Sequence, residues 1–331
     1  MRILILGGGG FIGTRLTEFL SAEEDLEKIY VISRTHLRNF DDSLIAEQRI
    51  TREISISDLE KHIAGSDAII DLSTPIGASR HPRDQDGNPI NEITKQLSIK
   101  TELFEYLSVH KKKLITFLSG GTIYGQDIDY SIDENRPSNP QSIYALNSSL
   151  TLDTLKYYRA RHDANFTAML VSNPYGPWQL GKRGQGVIGK WINALHRGES
   201  LELIEANHAT RDYIYIDDLC NLVSKVLKIK ERPKNSYYNA SSGRSTRLGE
   251  LYQLVQAYYH SSNSGNAIDA RISNAGTDGF SLNPLRAITE FGWQPDTSLE
   301  EGIYKTIEWH RNKWLPSILG TKSTRHESPS N

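Results

Sequence analysis

Apolar runs of strand length alternate with apolar residues at helical spacing through the first half of the chain. Met1 to Leu6 is a strand-length apolar stretch that stops at Gly7-Gly8-Gly9-Gly10, after which Phe11, Ile12, Leu16, Phe19 and Leu20 recur at the period of one helix face. Residues 28–32 predict a second strand ending in Ser33-Arg34-Thr35. A further strand is expected at 50–56, a short helix at 58–63 and a strand at 67–72, closed by Leu72-Ser73-Thr74-Pro75. Residues 91–110 predict an amphipathic helix with Ile93, Leu97, Leu103, Phe104 and Leu107 on its inner side, and 114–118 another buried strand. This alternation implies a parallel sheet covered by helices on both faces.

The second half has a different texture. It carries the turn Asn173-Pro174-Tyr175-Gly176-Pro177, a glycine-rich loop at 181–189, a helix at 187–197 and a short strand at 201–204. Residues 78–89 read as a polar surface loop. The run Lys111-Lys112-Lys113 reads as a solvated cap on the helix before it. Residues 321–331 are polar without apolar periodicity and are expected to be disordered.

Composition narrows the class without naming a chemistry. The chain has 331 residues, a net charge of −2 and 37% hydrophobic residues, an ordinary globular balance that does not point to nucleic acid. No apolar run reaches membrane-spanning length, and the first residues read as a core strand rather than a leader, so a cytoplasmic location is expected. The single cysteine, Cys220, excludes intramolecular disulfides, and its apolar surroundings predict a core residue rather than a nucleophile. No metal site is expected.

Gly7, Gly10 and Gly13 occupy the first, fourth and seventh positions of a strand-to-helix turn. The first permits the reversal, the second lets a diphosphate approach backbone, and the third lets helix pack on strand. The helix then offers free N–H groups from Phe11, Ile12 and Gly13 to the phosphates. The end of the second strand offers Ser33 and Arg34 where an acidic residue would meet ribose hydroxyls. A hydroxyl and a guanidinium suit a 2′-phosphate, so NADP is favoured over NAD. The alternative is that Arg34 is a solvated loop residue.

Several stretches in order resemble the extended short-chain dehydrogenase/reductase family, in its nucleotide-sugar branch. They are Gly7 to Gly13, Ser119-Gly120-Gly121-Thr122-Ile123-Tyr124-Gly125, Pro140-Gln141-Ser142-Ile143-Tyr144-Ala145, Asn173-Pro174-Tyr175-Gly176-Pro177, Gly186-Val187-Ile188, the run 211–218, and Phe291-Gly292-Trp293-Gln294-Pro295 with Ser298 to Gly302. The resemblance implies a Rossmann-like doubly wound parallel sheet with a smaller C-terminal α/β substrate domain. The dinucleotide domain would cover 1–172 with part of 205–245, and the nucleotide-sugar domain 173–204 and 246–318. It further implies hydride transfer at a hexose ring carbon, as an epimerase or 4-ketoreductase, and a homodimer built on the helices at 91–110 and 144–161.

The resemblance implies roles residue by residue. Tyr144 is the acid/base, Thr122 with Ser119 supplies the hydroxyl beside it, and Gly7, Gly10, Phe11, Ile12, Gly13, Ser33, Arg34, Leu72, Ser73, Thr74 and Tyr144 meet the cofactor. Asn173, Val187, Arg211 and, as a second arginine, Arg286 meet the nucleotide sugar. An internal ion pair of Arg211 with Asp212 or Asp217 is the alternative. Tyr175 and Trp178 are read as packing residues, and Asp71, where relatives often carry histidine, as a structural change. The departure that matters is Ser148. The family places a lysine four residues after the tyrosine, one helical turn away, to favour the phenolate of a group that titrates at about pH 10 in water. Lys156 lies further along the helix. The chain is therefore either an enzyme working without that lysine or a family member that has lost hydride chemistry and retains binding.

Overall fold

Ile3 and Ile5 pack on one side of a sheet and Leu4 and Leu6 on the other, the period-2 signature of a strand buried on both faces. The computed structural model describes residues 1–34, 45–50, 55–73, 89–125, 131–181, 186–199, 201–204, 210–261, 270–273 and 281–314. Strand β1 (Arg2–Leu6) turns through the glycines into helix α1 (Phe11–Leu20), followed by β2 (Lys28–Ser33), β3 (Ile45–Ile50), α2 (Ile56–Ala64), β4 (Ala68–Asp71), α3 (Pro89–Val109) and β5 (Lys113–Ser119). A single helical turn, α4 (Gly120–Ile123), and β6 (Ser131–Ile132) lead to α5 (Ile143–His162), β7 (Phe166–Val171) and β8 (Asn173–Tyr175). The remainder runs α6 (Val187–Arg197), β9 (Leu201–Ile204), β10 (Thr210–Tyr215), α7 (Ile216–Lys228), β11 (Tyr237–Ala240), β12 (Ser245–Arg247), α8 (Leu248–Ser261) and β13 (Ala270–Ser273). It closes with β14 (Ser281–Leu282), α9 (Leu285–Phe291), α10 (Leu299–Trp309) and a π-helical turn at His310–Trp314.

Seven strands form one all-parallel sheet in the order β11-β7-β5-β4-β1-β2-β3. The order reverses between β1 and β4, which is where an open parallel sheet leaves a crevice beyond its C-terminal strand ends. Two apolar cores follow from the two faces. One gathers α1, α6, α7 and α8 on the side of Ile3 and Ile5; the other gathers α2, α3 and α5 on the side of Leu4 and Leu6. Apart from β7 and β11, the strands of the second half form smaller sheets, β12-β10-β8, β13-β9 and, with β6, β14-β6. Among the described residues no helix is long and apolar enough to cross a membrane.

Two expectations change. Of the strand expected at 50–56, residues 51–54 lie outside the described residues; a strand is described at Ile45–Ile50, and Ile56 opens α2, where the Ser55 hydroxyl accepts the Asp58 N–H and caps the helix. The lysine run is not a solvated cap on its own helix. Lys111 donates to the His162 carbonyl, Lys112 to Ala64 and Ser66, and Lys113 to Val226, Leu227 and Ile229, so each lysine serves the C-terminal end of a different helix. Lys113 is buried in β5, and burial lowers its pKa to about 8. Asp71 proves to be half of a buried ion pair with Lys100. Cys220 lies in the core as expected, where burial pushes its thiol up. Residues 78–88 of the loop expected at 78–89 lie outside the described residues, as do 182–185, the tail at 321–331 and Thr74, whereas Pro89 already begins α3.

Candidate active site

The glycine turn sits at the switch point, and contact geometry accounts for Gly7, Gly10 and Gly13. Gly7 has φ +80°, and a Cβ there would lie 2.9 Å from the Leu72 carbonyl carbon. A Cβ on Gly13 would lie 2.4 Å from Gly8 Cα, so α1 can approach the strand only without one. Gly10 differs. Its missing Cβ would meet only the Gly7 carbonyl oxygen, at 3.4 Å, so what it leaves open is space in front of the turn. Gly10 is also the N-cap of α1 and lends no side-chain cap, leaving the first-turn N–H groups beyond it for an acceptor from outside the helix. These features fit a dinucleotide diphosphate. Leu72 and Ser73 close the turn from the β4 side, while Gly7 N–H donates to Ile32 O and brings the end of β2 alongside. There Ser33 is buried and Arg34 is exposed.

The second group assembles at the end of β5. The Ser119 and Thr122 hydroxyls lie 2.7 Å apart, and Ser119 is also a polar neighbour of the Tyr144 phenol on the first turn of α5. Ser142 fixes that turn by accepting the Ala145 N–H. Gly120 lets the α4 turn settle on β7, since a Cβ there would lie 2.7 Å from Leu170 backbone, whereas Gly121 faces open space. Burial raises the Tyr144 pKa above its ordinary 10.0, and the Ser119 hydroxyl works the other way. Ser148 is buried beneath the tyrosine with its Oγ accepting the Ser119 N–H at 3.4 Å, so it ties α5 to β5 and brings no charge. Lys156 is turned away, half-exposed against Asp153 and the Tyr237 ring.

On the substrate side, β8 and β10 pair so that Asn173 lies opposite Tyr213, and the Asn173 amide donates to the Asp212 carbonyl at 2.9 Å. Asp212 is buried, and its carboxylate accepts from Ser242, Gly243 and Leu282, which pins β10 in place. Neither alternative partner takes Arg211. Asp212 is committed as described and Asp217 holds Arg15 through two hydrogen bonds of 2.6 and 2.8 Å, while Arg211 Nη1 donates to its neighbour's carbonyl. Val187 opens α6 after the left-handed Gly186. Arg286 does not join this group. It lies 3.5 Å from buried Glu134, donates to Asn135 and covers the Tyr237 ring, a network at the β11 edge. Tyr175 is buried, and Trp178 packs on Trp309 while donating to Glu18.

The residue that pattern reading missed is Lys100. It occupies an inner position of α3, in register with Ile93, Gln96, Leu103 and Leu107, and a lysine on the apolar face of a helix was the available signal. Its partner is 29 positions away in the chain, so spacing could not reveal the pair.

A sequence model of the NAD dependent epimerase/dehydratase family matches residues 3–241. A putative UDP-glucose 4-epimerase of Methanocaldococcus jannaschii is 25% identical over 311 residues, covering 94% of this chain and 98% of that protein. A dTDP-4-dehydro-6-deoxyglucose reductase of Escherichia coli is 25% identical over 320 residues, 94% and 98% of the two chains. Among solved structures, the UDP-glucose 4-epimerase of Thermotoga maritima with UDP-glucose superposes with a TM-score of 0.78 at 23% identity, covering 94% of this chain and 99% of that one. The Thermus thermophilus UDP-glucose 4-epimerase in complex with NAD gives 0.78 at 22%, covering 95% and 100%. These two likenesses bear on the fold.

Proposed function

The chain belongs to the NAD dependent epimerase/dehydratase family, and from that premise we propose that it is an NAD(P)-dependent nucleotide-sugar enzyme with Tyr144 as its proton donor and acceptor. The observation that carries this reading is the hydroxyl triad of Ser119, Thr122 and Tyr144, set at the same sheet edge as the Gly7–Gly13 turn. When bound, the nicotinamide supplies the hydride donor or acceptor. The chain's own residues do the rest. Ser119 and Thr122 hold a sugar oxygen, Tyr144 passes it a proton, and Asn173, Val187 and Arg211 hold the nucleotide diphosphate.

The raised pKa of Tyr144 favours one direction. A phenol held above 10 is protonated at neutral pH, so its ready role is that of an acid toward a developing alkoxide. That is the step in reducing a 4-keto sugar, and an exposed Arg34 at the end of β2 suits the 2′-phosphate of NADPH. We therefore favour a 4-ketoreductase over an epimerase. The exposed Ile90, Val109 and Tyr157 of α3 and α5 support a homodimer through these helices.

The first test is calorimetric titration with NADPH and NADH, after denaturing a sample to look for carried-over cofactor. A dTDP-4-keto-6-deoxyhexose is then supplied with NADPH, and loss of the reduced nicotinamide absorbance is followed. Turnover supports the ketoreductase. A co-purified cofactor that does not exchange, with UDP-glucose interconverted to UDP-galactose, replaces it with an epimerase. Sugar-nucleotide binding without dinucleotide binding favours the reading, motivated by Ser148, of a family member that binds and no longer reacts.

A further inference from the structure

Asp71 and Lys100 form a buried charged pair, bonded to the partly buried Ser73, that the acid–base reading leaves without a task. Lys100 Nζ donates to Asp71 Oδ2, to the Ser73 carbonyl at 2.9 Å and to Ser73 Oγ at 3.1 Å, so all three ammonium protons have acceptors. The other Asp71 oxygen, Oδ1, accepts the Ser73 N–H at 3.1 Å and the Ser73 hydroxyl at 2.6 Å. The carboxylate thus closes a tight turn over Asp71-Leu72-Ser73, and the ammonium locks that turn from α3.

A pair buried this deeply is a weak source of stability, because desolvation offsets most of the attraction between the charges. Its place in the fold is more telling. Three cations are buried among the described residues. Lys113 begins β5 and caps α7, and Arg159 donates to Phe166 at the start of β7 and to Pro233, both at the N-terminal edge of the sheet. Lys100 alone among them works at the C-terminal edge, at the switch point. The turn it locks is the one that Gly7 abuts, where a Cβ would lie 2.9 Å from the Leu72 carbonyl carbon and 3.0 Å from Ser73 N.

We propose that Lys100 is a positioning residue for the dinucleotide, acting through Asp71 and Ser73 to fix the Leu72–Ser73 wall of the site against the glycine turn. With Lys100 in place, the backbone facing the diphosphate and adjoining ribose is set before the ligand arrives, so its ordering is not charged against binding. The inference rests on the reading that the chain binds a nicotinamide dinucleotide.

Lys100→Met leaves Asp71 buried without its cation and can cost the fold itself, so the decisive variant is Asp71→Asn with Lys100→Gln. It removes both charges while keeping similar volumes and amide hydrogen bonding. The full chain and this variant are titrated calorimetrically with NADH and NADPH, and their Tm values are compared. The expected result is a Kd raised roughly tenfold or more, with Tm within about 4 °C of the parent. An unchanged Kd overturns the proposal whatever happens to Tm. A raised Kd together with a Tm lowered by about 10 °C or more also overturns it, since general loosening then explains the loss. A parent that binds neither dinucleotide overturns the functional reading beneath it, which is a distinct failure.

Discussion

The glycine turn and the Ser119–Tyr144 corner lie at the same edge of one sheet, yet they carry their chemistry in different ways. In the turn, function is written into backbone. Gly7 and Gly13 are demanded by atoms less than 3.0 Å from any added Cβ, and Gly10 by the space it leaves in front of the helix end. At the corner, the proposed function depends on the protonation of one phenol. The tyrosine and both hydroxyls are present, but position 148 holds a buried serine that accepts the Ser119 N–H where a cation would tune the phenol. Binding geometry can thus be retained in full while reactivity is set by a neighbour's charge. The two are separable, and experiments can treat them so.

The sharpest separation comes from Tyr144→Phe. It removes the proton donor and leaves the turn untouched, so turnover should fall by about 10² to 10⁴. Calorimetry should find the dinucleotide Kd within about threefold of the parent, since the loss lies in the chemical step. A fall in affinity that matches the fall in turnover would show that Tyr144 serves binding and would break the contrast.

Within the turn, two glycines should fail differently. Gly13→Ala drives a Cβ into Gly8 backbone and should destabilise the fold by about 1–3 kcal/mol in denaturant titration. Gly10→Ala meets only one carbonyl oxygen at 3.4 Å, so its stability should change by less than about 1 kcal/mol. It should nonetheless weaken the dinucleotide by roughly tenfold or more, because the added methyl stands where the diphosphate approaches. Equal stability loss in both variants would mean that Gly10, too, is there for packing.

At the corner, Ser148→Lys supplies the absent charge. In the direction that needs Tyr144 as a base, the parent's rate should climb with pH toward a phenol pKa above 10, because the reactive phenolate is scarce below it. In the reductive direction the sign reverses, and the rate holds until the phenol ionises at high pH. A lysine one helical turn away should move both profiles to lower pH, by about one unit. Profiles that stay put would remove charge from the account of this corner.

What the sequence reveals follows the same division. The sheet, the glycine turn and the buried Cys220 follow from local spacing, because strand and helix periods and a turn's glycines depend on near neighbours, whereas the Ser119–Thr122–Tyr144 set is legible only through the family resemblance. The roles of the lysines follow from neither. Lys113 looks like a solvated charge in a run of three, yet its side chain reaches carbonyls more than 110 residues away. Lys100 finds Asp71 across the sheet edge, and Arg286 is drawn to Glu134, not toward Asn173 and Arg211. Long flexible cations take their roles from whatever the fold brings within reach, and that is decided by topology.

The smallest effect tests Arg34, an exposed cation beside the proposed cofactor site. Arg34 follows Ser33 at the exposed end of β2, so a 2′-phosphate there would meet a guanidinium in high dielectric, where charge pairs are weak. Arg34→Ala should therefore weaken NADPH by only about five- to tenfold, roughly 1 kcal/mol, and leave NADH within about twofold. The NADPH loss should shrink as salt is raised, since an exposed pair is screened within a Debye length of about 10 Å at 0.1 M ionic strength. Equal losses for both dinucleotides would place Arg34 on a group the two share, and the preference for NADPH would then have to come from elsewhere in the site.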